Sequence, residues 1–258
     1  MTIARIYVPH EMEPGDPCVL TGENRQYVLT VLRMRKGERL LLFDGKGHEY
    51  EAIIQAQDRE NVILEIVSKE IIDTGAVPIT LAQCLPKGWK MDFIVEKACE
   101  LGAARIIPFF SERSVPQLTP GQAVLKQLRW QKVALEAARK SHAGGIPEVE
   151  NVMTFRDMLG KADQQSVKII FWEEETRMHL KQVLKERESE QNREFFLVVG
   201  PEGGFTREEV MEAEGRGFTS ASLGRQVLKV ETAALAILAI IQYERGSFGP
   251  NGQREGRL

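Results

Sequence analysis

Cysteine is scarce in this chain of 258 residues: Cys18, Cys84 and Cys99 are the only three, and no two stand in a Cys-x-x-Cys spacing. An odd, scattered set argues against a disulfide framework and a thiolate zinc site and points to a reducing cytoplasm. Each is expected to serve as a small buried apolar side chain. Histidine is almost as rare, and His10, His48, His142 and His179 lack metal-ligand spacing, so no metal is expected. His142, between a basic segment and Gly144-Gly145, has the setting of a solvent-exposed loop residue. No Gly-x-Ser-x-Gly elbow is present, which removes the commonest serine-hydrolase signature. Long apolar runs are missing too. The longest, "AALAILAII" at 233–241, falls well short of the roughly 20 residues that span a bilayer. The segment "MTIARIYVPHEMEPGD" has no basic head followed by an apolar core, so no secretory signal is expected. Nor is there an excess of charge of one sign: 34 basic against 37 acidic residues leave a net charge of -3. A wholly basic nucleic-acid binder is thereby excluded, but a local cationic patch is not.

An apolar content of 43% with 28% charged residues fits a folded globular chain of one large domain or two modest ones. Residues 1–72 have the character of a small β-rich unit. "ARIYV", "RLLLF", "HEYEAIIQAQ" and "NVILEIVSK" are short and rich in β-branched or aromatic residues, and "DGKG" at 44–47 is a hairpin signal. Four short strands close most naturally as a small barrel. Within "ENRQYVLTVLRM" the spacing of Tyr27, Val28, Val31 and Leu32 predicts one short helix with these four on one face. Residues 73–258 change character. Apolar runs ("ITLAQC", "RIIPFF", "VKIIFW", "FFLVV", "SASLG") alternate with helical patterns near 89–101, 122–141, 177–188, 207–215 and 230–243. That alternation predicts an α/β domain with a mostly parallel sheet covered by helices. The polar tail from Gly246 is expected to fray.

In such sheets ligands bind beyond the carboxyl ends of strands. Three loops there stand out: "FWEEET" (171–176), "GPEGGF" (200–205) and "SLGRQVLKVETAAL" (222–235). In the second, Thr206 and Glu209 form a Thr-x-x-Glu capping box that starts a helix just after the glycines. The third leads into a helix expected to be capped near Glu231-Thr232. Three glycines in five residues allow a ligand to approach the backbone closely. There is no Gly-Lys-Ser/Thr, so this is not a P-loop. "GKG" at 45–47 lacks the third glycine of a dinucleotide fingerprint, Tyr50 standing in its place. Two windows are locally basic: 25–39, with Arg33 and Arg35, and 126–142, with Lys132 and Arg139. These patterns give an α/β protein with a glycine-rich ligand loop and an appended β-domain, and leave the ligand unnamed.

"LVVGPEGGFTREEV" followed by "LGRQVLKVETAAL" resembles the paired signature of the RsmE family of 16S rRNA (uracil-N3)-methyltransferases, of the SPOUT class. The resemblance extends over nearly the whole chain, through "ARIYV", "VLRMRKGE", "KGWKMDFIVEKACELGAARIIPFFSERSV" and "RWQKVALEAARKS". It implies an N-terminal PUA-like or OB-like β-barrel for RNA binding and a C-terminal SPOUT domain tied in a deep trefoil knot. It implies a cytoplasmic homodimer that uses S-adenosylmethionine to methylate uridine 1498 of the 30S subunit's 16S rRNA. Methylation of another RNA position, or an inactive assembly factor, are the alternatives. Carried onto this sequence, the cofactor pocket comprises Gly200, Pro201, Glu202 and Gly203 on one wall. Leu223, Gly224, Val227 and Leu228 form the other, with Phe171, Trp172 and Glu173 on a flank. Arg225 is the catalytic candidate that stabilises charge on a uracil oxygen, with Glu202 behind it as proton acceptor. Arg5, Arg33, Arg35, Lys132 and Arg139 are the expected RNA contacts. Gln26 and Tyr27 stand where relatives often carry histidines, and Leu228-Lys229 replaces the usual Leu-Arg.

Overall fold

The structure is a computed structural model that describes residues 4–187 and 194–245. The expected fraying beyond Gly246 therefore falls outside the described residues. The chain divides into two units: residues 1–73 with 138–146, and residues 74–137 with 147–258.

The first unit holds β1 (Arg5–Tyr7), β2 (Pro17–Leu20), α1 (Gly22–Gln26), β3 (Arg39–Phe43), β4 (His48–Gln57) and β5 (Val62–Ile71). Its ladder runs β1-β3-β4-β5-β2, with β1 and β3 parallel and the remaining pairs antiparallel. "DGKG" makes the β3–β4 hairpin as its composition demands. Alternate residues of all five strands (Ile6, Cys18, Leu20, Leu40, Leu42, Tyr50, Ala52, Ile54, Leu64) enter one buried cluster. Sharing a single core is how a small barrel packs, although no ladder joins β1 to β2 among the described residues. β2 escapes strand patterning because it opens on Pro17 and lies at the sheet edge, where a missing N–H costs nothing.

The expected helix after Glu23 forms, but α1 gives way to a wider π-type turn over Tyr27–Val31, closed by Leu32 N–H donating to the Tyr27 carbonyl. Five-residue spacing rotates the later side chains off the 3.6-residue face. Val28 is fully buried while Val31 is 64% exposed, which corrects the expectation that the two lie on one face of a helix.

The second unit is a parallel sheet in the order β12-β10-β11-β6-β7-β8, with the short β9 also on β7. In chain order these are β6 (Ile79–Cys84), β7 (Arg105–Phe110), β8 (Glu148–Val149), β9 (Met153–Thr154), β10 (Val167–Phe171), β11 (Phe195–Val199) and β12 (Thr219–Ala221). The interleaved helices are α2 (Lys90–Glu100), α3 (Pro120–Ser141), α4 (Phe155–Leu159), α5 (Leu180–Glu186), α6 (Arg207–Glu214) and α7 (Val230–Glu244). β6 and β11 are buried at every position, which is why they appear in sequence as unbroken apolar runs. Gln242 of α7 is buried and ties the segment before β6 by accepting from the Val77 N–H and donating to the Val77 carbonyl. Phe109, Phe155 and Phe205 stack into the core beneath the carboxyl ends of the strands. No helix among the described residues is long and apolar enough to cross a membrane.

Candidate functional site

Because β10, β11 and β12 are adjacent and parallel, the loops that follow them leave the sheet at one edge. These are the three loops that composition singles out, and they enclose a cavity of about 930 Å³. That size suits a small organic ligand. Phe171, Trp172 and Glu173 line it from the first loop, and Gly200, Pro201, Glu202 and Gly204 from the second. Leu223 to Lys229 line it from the third, with Arg225 among them. Of the expected cofactor residues only Gly203 is not in the lining. It instead lies against Arg113, whose guanidinium donates to its carbonyl at 3.0 Å.

The shape of the second loop follows from its glycines at two positions. Gly204 has φ +68°, and a Cβ there would fall 1.7 Å from Oε1 of Glu173. Gly200 lies over the buried Phe205 ring, 3.0 Å from where its Cβ would be. One glycine thus admits the left-handed turn and the other lets backbone rest directly on the aromatic core. The predicted capping box is present: Thr206 N–H donates to Glu209 Oε2 at 3.0 Å, and Glu209 N–H donates to Thr206 Oγ1 at 3.3 Å. Glu209 Oε1 also accepts from the Glu112 N–H at 2.9 Å, which fastens the helix start to the loop after β7.

Three tethers hold the walls, and sequence spacing reveals none of them. Lys90 donates to Glu202 Oε1 at 2.9 Å and pairs with Glu231 Oε2 at 3.3 Å, joining the second loop to the start of α7. Glu175 accepts from the Ser220 hydroxyl at 2.6 Å and from the N–H groups of Arg177 and Met178. The Ser220 hydroxyl, ahead of the opposing effect of burial, holds the Glu175 carboxyl below its ordinary value. His179 Nδ1 meets Ser222 Oγ at 2.7 Å, linking the start of α5 to the loop after β12. The expected cap at Glu231-Thr232 is corrected: Lys229 is the N-cap, without a side-chain bond, and Glu231 turns to Lys90.

Glu202 is a carboxylate in use. Burial pushes its pKa up, but the hydrogen bonds from Lys90 and from the Lys87 backbone outweigh that and hold it below the ordinary glutamate value. A depressed pKa means the tether is complete above the ordinary glutamate range and is lost as pH falls through the folded value. Lys90→Met is therefore expected to weaken ligand binding severalfold at neutral pH, within the roughly 1 kcal/mol typical of partly exposed pairs. It is also expected to flatten the acid limb of a binding-versus-pH curve. Calorimetric titration at several pH values checks both effects. An unchanged acid limb would show that the Lys90–Glu202 pair does not shape the cavity.

Arg225 projects from the third loop, is exposed, and has no ion pair among the described residues. Val227 beside it is 83% exposed. Glu173, facing the same cavity, also has no ion pair among the described residues, and the indole N–H of Trp172 is buried without a hydrogen-bond partner. Of these three groups the Trp172 indole N–H is buried without a partner, while Arg225 and Glu173 are exposed and available to a charged, heteroatom-rich ligand.

The expected RNA contacts separate into two groups. Arg33, Arg35 and Lys132 are exposed, and Arg139 is half-buried with its guanidinium 4.9 Å from the Tyr27 ring centroid. Arg5 is corrected: it is 3% exposed and bonded to Glu49, to the Ala138 carbonyl at 2.6 Å and to the Ala143 carbonyl at 3.0 Å. A guanidinium so enclosed cannot reach a phosphate. His142 is likewise not a solvent-facing loop residue: its side chain is 20% exposed and lies 3.8 Å from Glu49. All three cysteines are buried and none is in a disulfide, and burial pushes the Cys18 thiol up to about 11.

Residues 74–242 match the family described as RNA methyltransferase domain, and residues 20–67 match the RNA methyltransferase PUA domain. The chain is 30% identical to ribosomal RNA small subunit methyltransferase E of Bacillus subtilis, over 91% of this chain and 93% of that protein. It is 33% identical to the protein of the same name from Synechocystis, over 92% of this chain and 76% of that one. Among solved structures, that of the Neisseria gonorrhoeae ribosomal RNA small subunit methyltransferase E bound to S-adenosyl methionine superposes with a TM-score of 0.83. Identity is 30%, covering 94% of this chain and 98% of that one. A Legionella pneumophila protein solved with the same cofactor bound superposes with a TM-score of 0.78 at 30% identity.

Proposed function

Since the chain belongs to the ribosomal RNA small subunit methyltransferase E family, we propose that it transfers the methyl group of S-adenosylmethionine to N3 of uridine 1498 in 16S rRNA. The observation that carries this reading is the cavity itself, formed where three strand-end loops converge, with Arg225 on its rim in no ion pair among the described residues. Its residues suit the cofactor. Gly200, Pro201, Glu202 and Gly204 line one side, while Phe171, Val199, Leu223, Leu228 and Ala233 supply apolar surface for an adenine. The carboxylate of Glu173 complements a cationic ligand, and the indole N–H of Trp172 provides an unused donor. Gly224 and Val227 complete the lining expected from the resemblance, while Gly203 lies against Arg113 outside it.

When bound, the cofactor supplies an electrophilic methyl group on a sulfonium. The chain's own task is to make uracil N3 nucleophilic, which requires loss of the N3 proton. Arg225 stabilises the negative charge that collects on a uracil carbonyl oxygen as that proton departs. Arginine stays protonated and cannot itself accept the proton. Glu202, ionised and bound to Lys90, is a weak base whose main effect is to hold the glycine loop in place, so the N3 proton leaves to solvent water. Arg33, Arg35, Lys132 and Arg139 contribute phosphate contacts. The same reading takes the chain to be a cytoplasmic homodimer with a knotted path through the three loops. The exposed Val227 supports a partner at that rim.

The test is methylation of 30S subunits from a strain that lacks this modification, read by nucleoside mass spectrometry and by mapping the base that blocks reverse transcription. N3-methyluridine at position 1498 is the expected product. Modification elsewhere would indicate a different target within the class. No modification, together with no cofactor binding by calorimetry, would leave an RNA-binding assembly factor.

A further inference from the structure

An exposed aromatic side chain immediately precedes one of the residues that line this cavity and has no role in the chemistry above. Trp89 is 70% exposed, although an indole gains more from burial than almost any other side chain. Its place is fixed by the chain on either side. Two residues before it, the Lys87 N–H donates to Glu202 Oε1 at 3.1 Å. The next residue, Lys90, lines the cavity and pairs with Glu202 and Glu231. The Trp89 carbonyl accepts from the Asp92 N–H at 3.1 Å, locking the residue into the start of α2. Phe93, one turn on, meets the indole edge to face, with centroids 6.0 Å apart and planes at 81°. The ring is thus braced by Phe93 and otherwise exposed, in a segment whose neighbours Lys87 and Lys90 both bond to Glu202 of the glycine loop.

We propose that Trp89 is a stacking platform for an unpaired nucleobase of the RNA substrate, flanking the uridine delivered to the cavity. This rests on the reading of the chain as an RNA methyltransferase. The chemistry of the setting selects the occupant. A uracil cannot present N3 from within a base pair, so the target is unstacked and its neighbours lose a stacking partner. An exposed indole offers such a neighbour a π-face, and the exposed Lys87, two residues before it, favours a polyanion over another apolar surface. Trp89 is a positioning residue: it touches a neighbouring base and acts on the reaction by fixing where the target uridine lies.

The experiment compares Trp89→Ala, Trp89→Leu and Trp89→Phe in the full chain, with 30S subunits as substrate and cofactor binding followed separately by calorimetry. Trp89→Ala is expected to raise KM for 30S subunits roughly tenfold, within the range alanine substitution gives for base–aromatic stacking. Trp89→Phe is expected to keep most of the affinity, whereas Trp89→Leu, similarly apolar but without a π-face, behaves like alanine. Cofactor affinity is expected to be unchanged in all three. Wild-type KM in Trp89→Ala overturns the proposal, and so does equal performance of leucine and phenylalanine. A change of sedimentation mass in Trp89→Ala overturns it as well, by placing the indole between two copies of the chain. If the wild-type protein itself modifies no RNA, the underlying functional reading fails instead, an outcome distinct from all of these.

Discussion

Arg225→Ala is expected to lower kcat for methyl transfer by about 10²–10³-fold while leaving cofactor affinity nearly intact, the usual effect of deleting one preorganised stabiliser of developing negative charge. The asymmetry follows from geometry. The cofactor walls are backbone and apolar surface fixed by the Lys90, Glu175 and His179 tethers, none of which involves Arg225. The Arg225 side chain is exposed at the rim with no ion pair among the described residues, so removing it leaves no buried partner unsatisfied. Arg225→Lys keeps the charge but loses the planar fork that can hold a carbonyl oxygen and a second acceptor together. It is expected to recover only part of the rate. Single-turnover kinetics on saturating 30S subunits isolates the chemical step, and calorimetry reports cofactor binding. A variant that keeps the wild-type rate, or that loses rate only in proportion to lost cofactor affinity, would remove Arg225 from the chemistry.

How much of this was open to sequence reading depends on how local the cause is. The Thr206–Glu209 box, the 44–47 hairpin and the glycine loop are decided within a few residues, and each forms as its pattern requires. The parallel sheet was legible because strands buried on both faces leave unbroken apolar runs. β8 and β9 have two residues each and α4 has five, too short for any period to register. The three loops announced themselves by composition, but what holds them together did not. Lys90 and Glu202 are 112 positions apart, and His179 and Ser222 are 43 apart, so no spacing rule connects them. Lys90 appears in sequence as one more surface lysine at the start of a helix. Only the sheet order, which brings the ends of β6 and β11 side by side, turns it into the bridge between two walls. The π-type turn at Tyr27–Val31 shows the same limit on a small scale, since the periodicity was real but the backbone did not keep its phase.

Arg5 is the sharpest case, because basic composition and burial point in opposite directions. Its Nε lies 3.2 Å from Glu49 Oε2, both side chains are almost wholly buried, and its guanidinium sits 3.9 Å from the Phe43 ring centroid. The remaining donors serve the Ala138 and Ala143 carbonyls, at the end of α3 and just beyond it, where unpaired carbonyls concentrate negative charge. Arg5→Met is therefore expected to cost the first unit about 3–5 kcal/mol, since it takes the guanidinium away from the buried Glu49 carboxylate as well as removing donors from the Ala138 and Ala143 carbonyls. Adding Glu49→Leu is expected to restore a large share, because a buried pair replaced whole by apolar groups is often close to neutral. Recovery stays incomplete, as both carbonyls lose a guanidinium donor, although that of Ala138 still accepts from the Ala143 N–H at 3.3 Å. Hydrogen exchange of the β3, β4 and β5 amides reports the stability of this unit by itself, free of the second unit's transition. The double variant also separates the structural role from a phosphate contact. If Arg5 touched RNA, its loss would reduce the salt dependence of RNA affinity by about one unit of slope. With Arg5 buried, the slope is expected to remain that of the wild type. A single variant costing less than about 1 kcal/mol, or a double variant with a shallower slope, would return Arg5 to the surface role its charge first suggested.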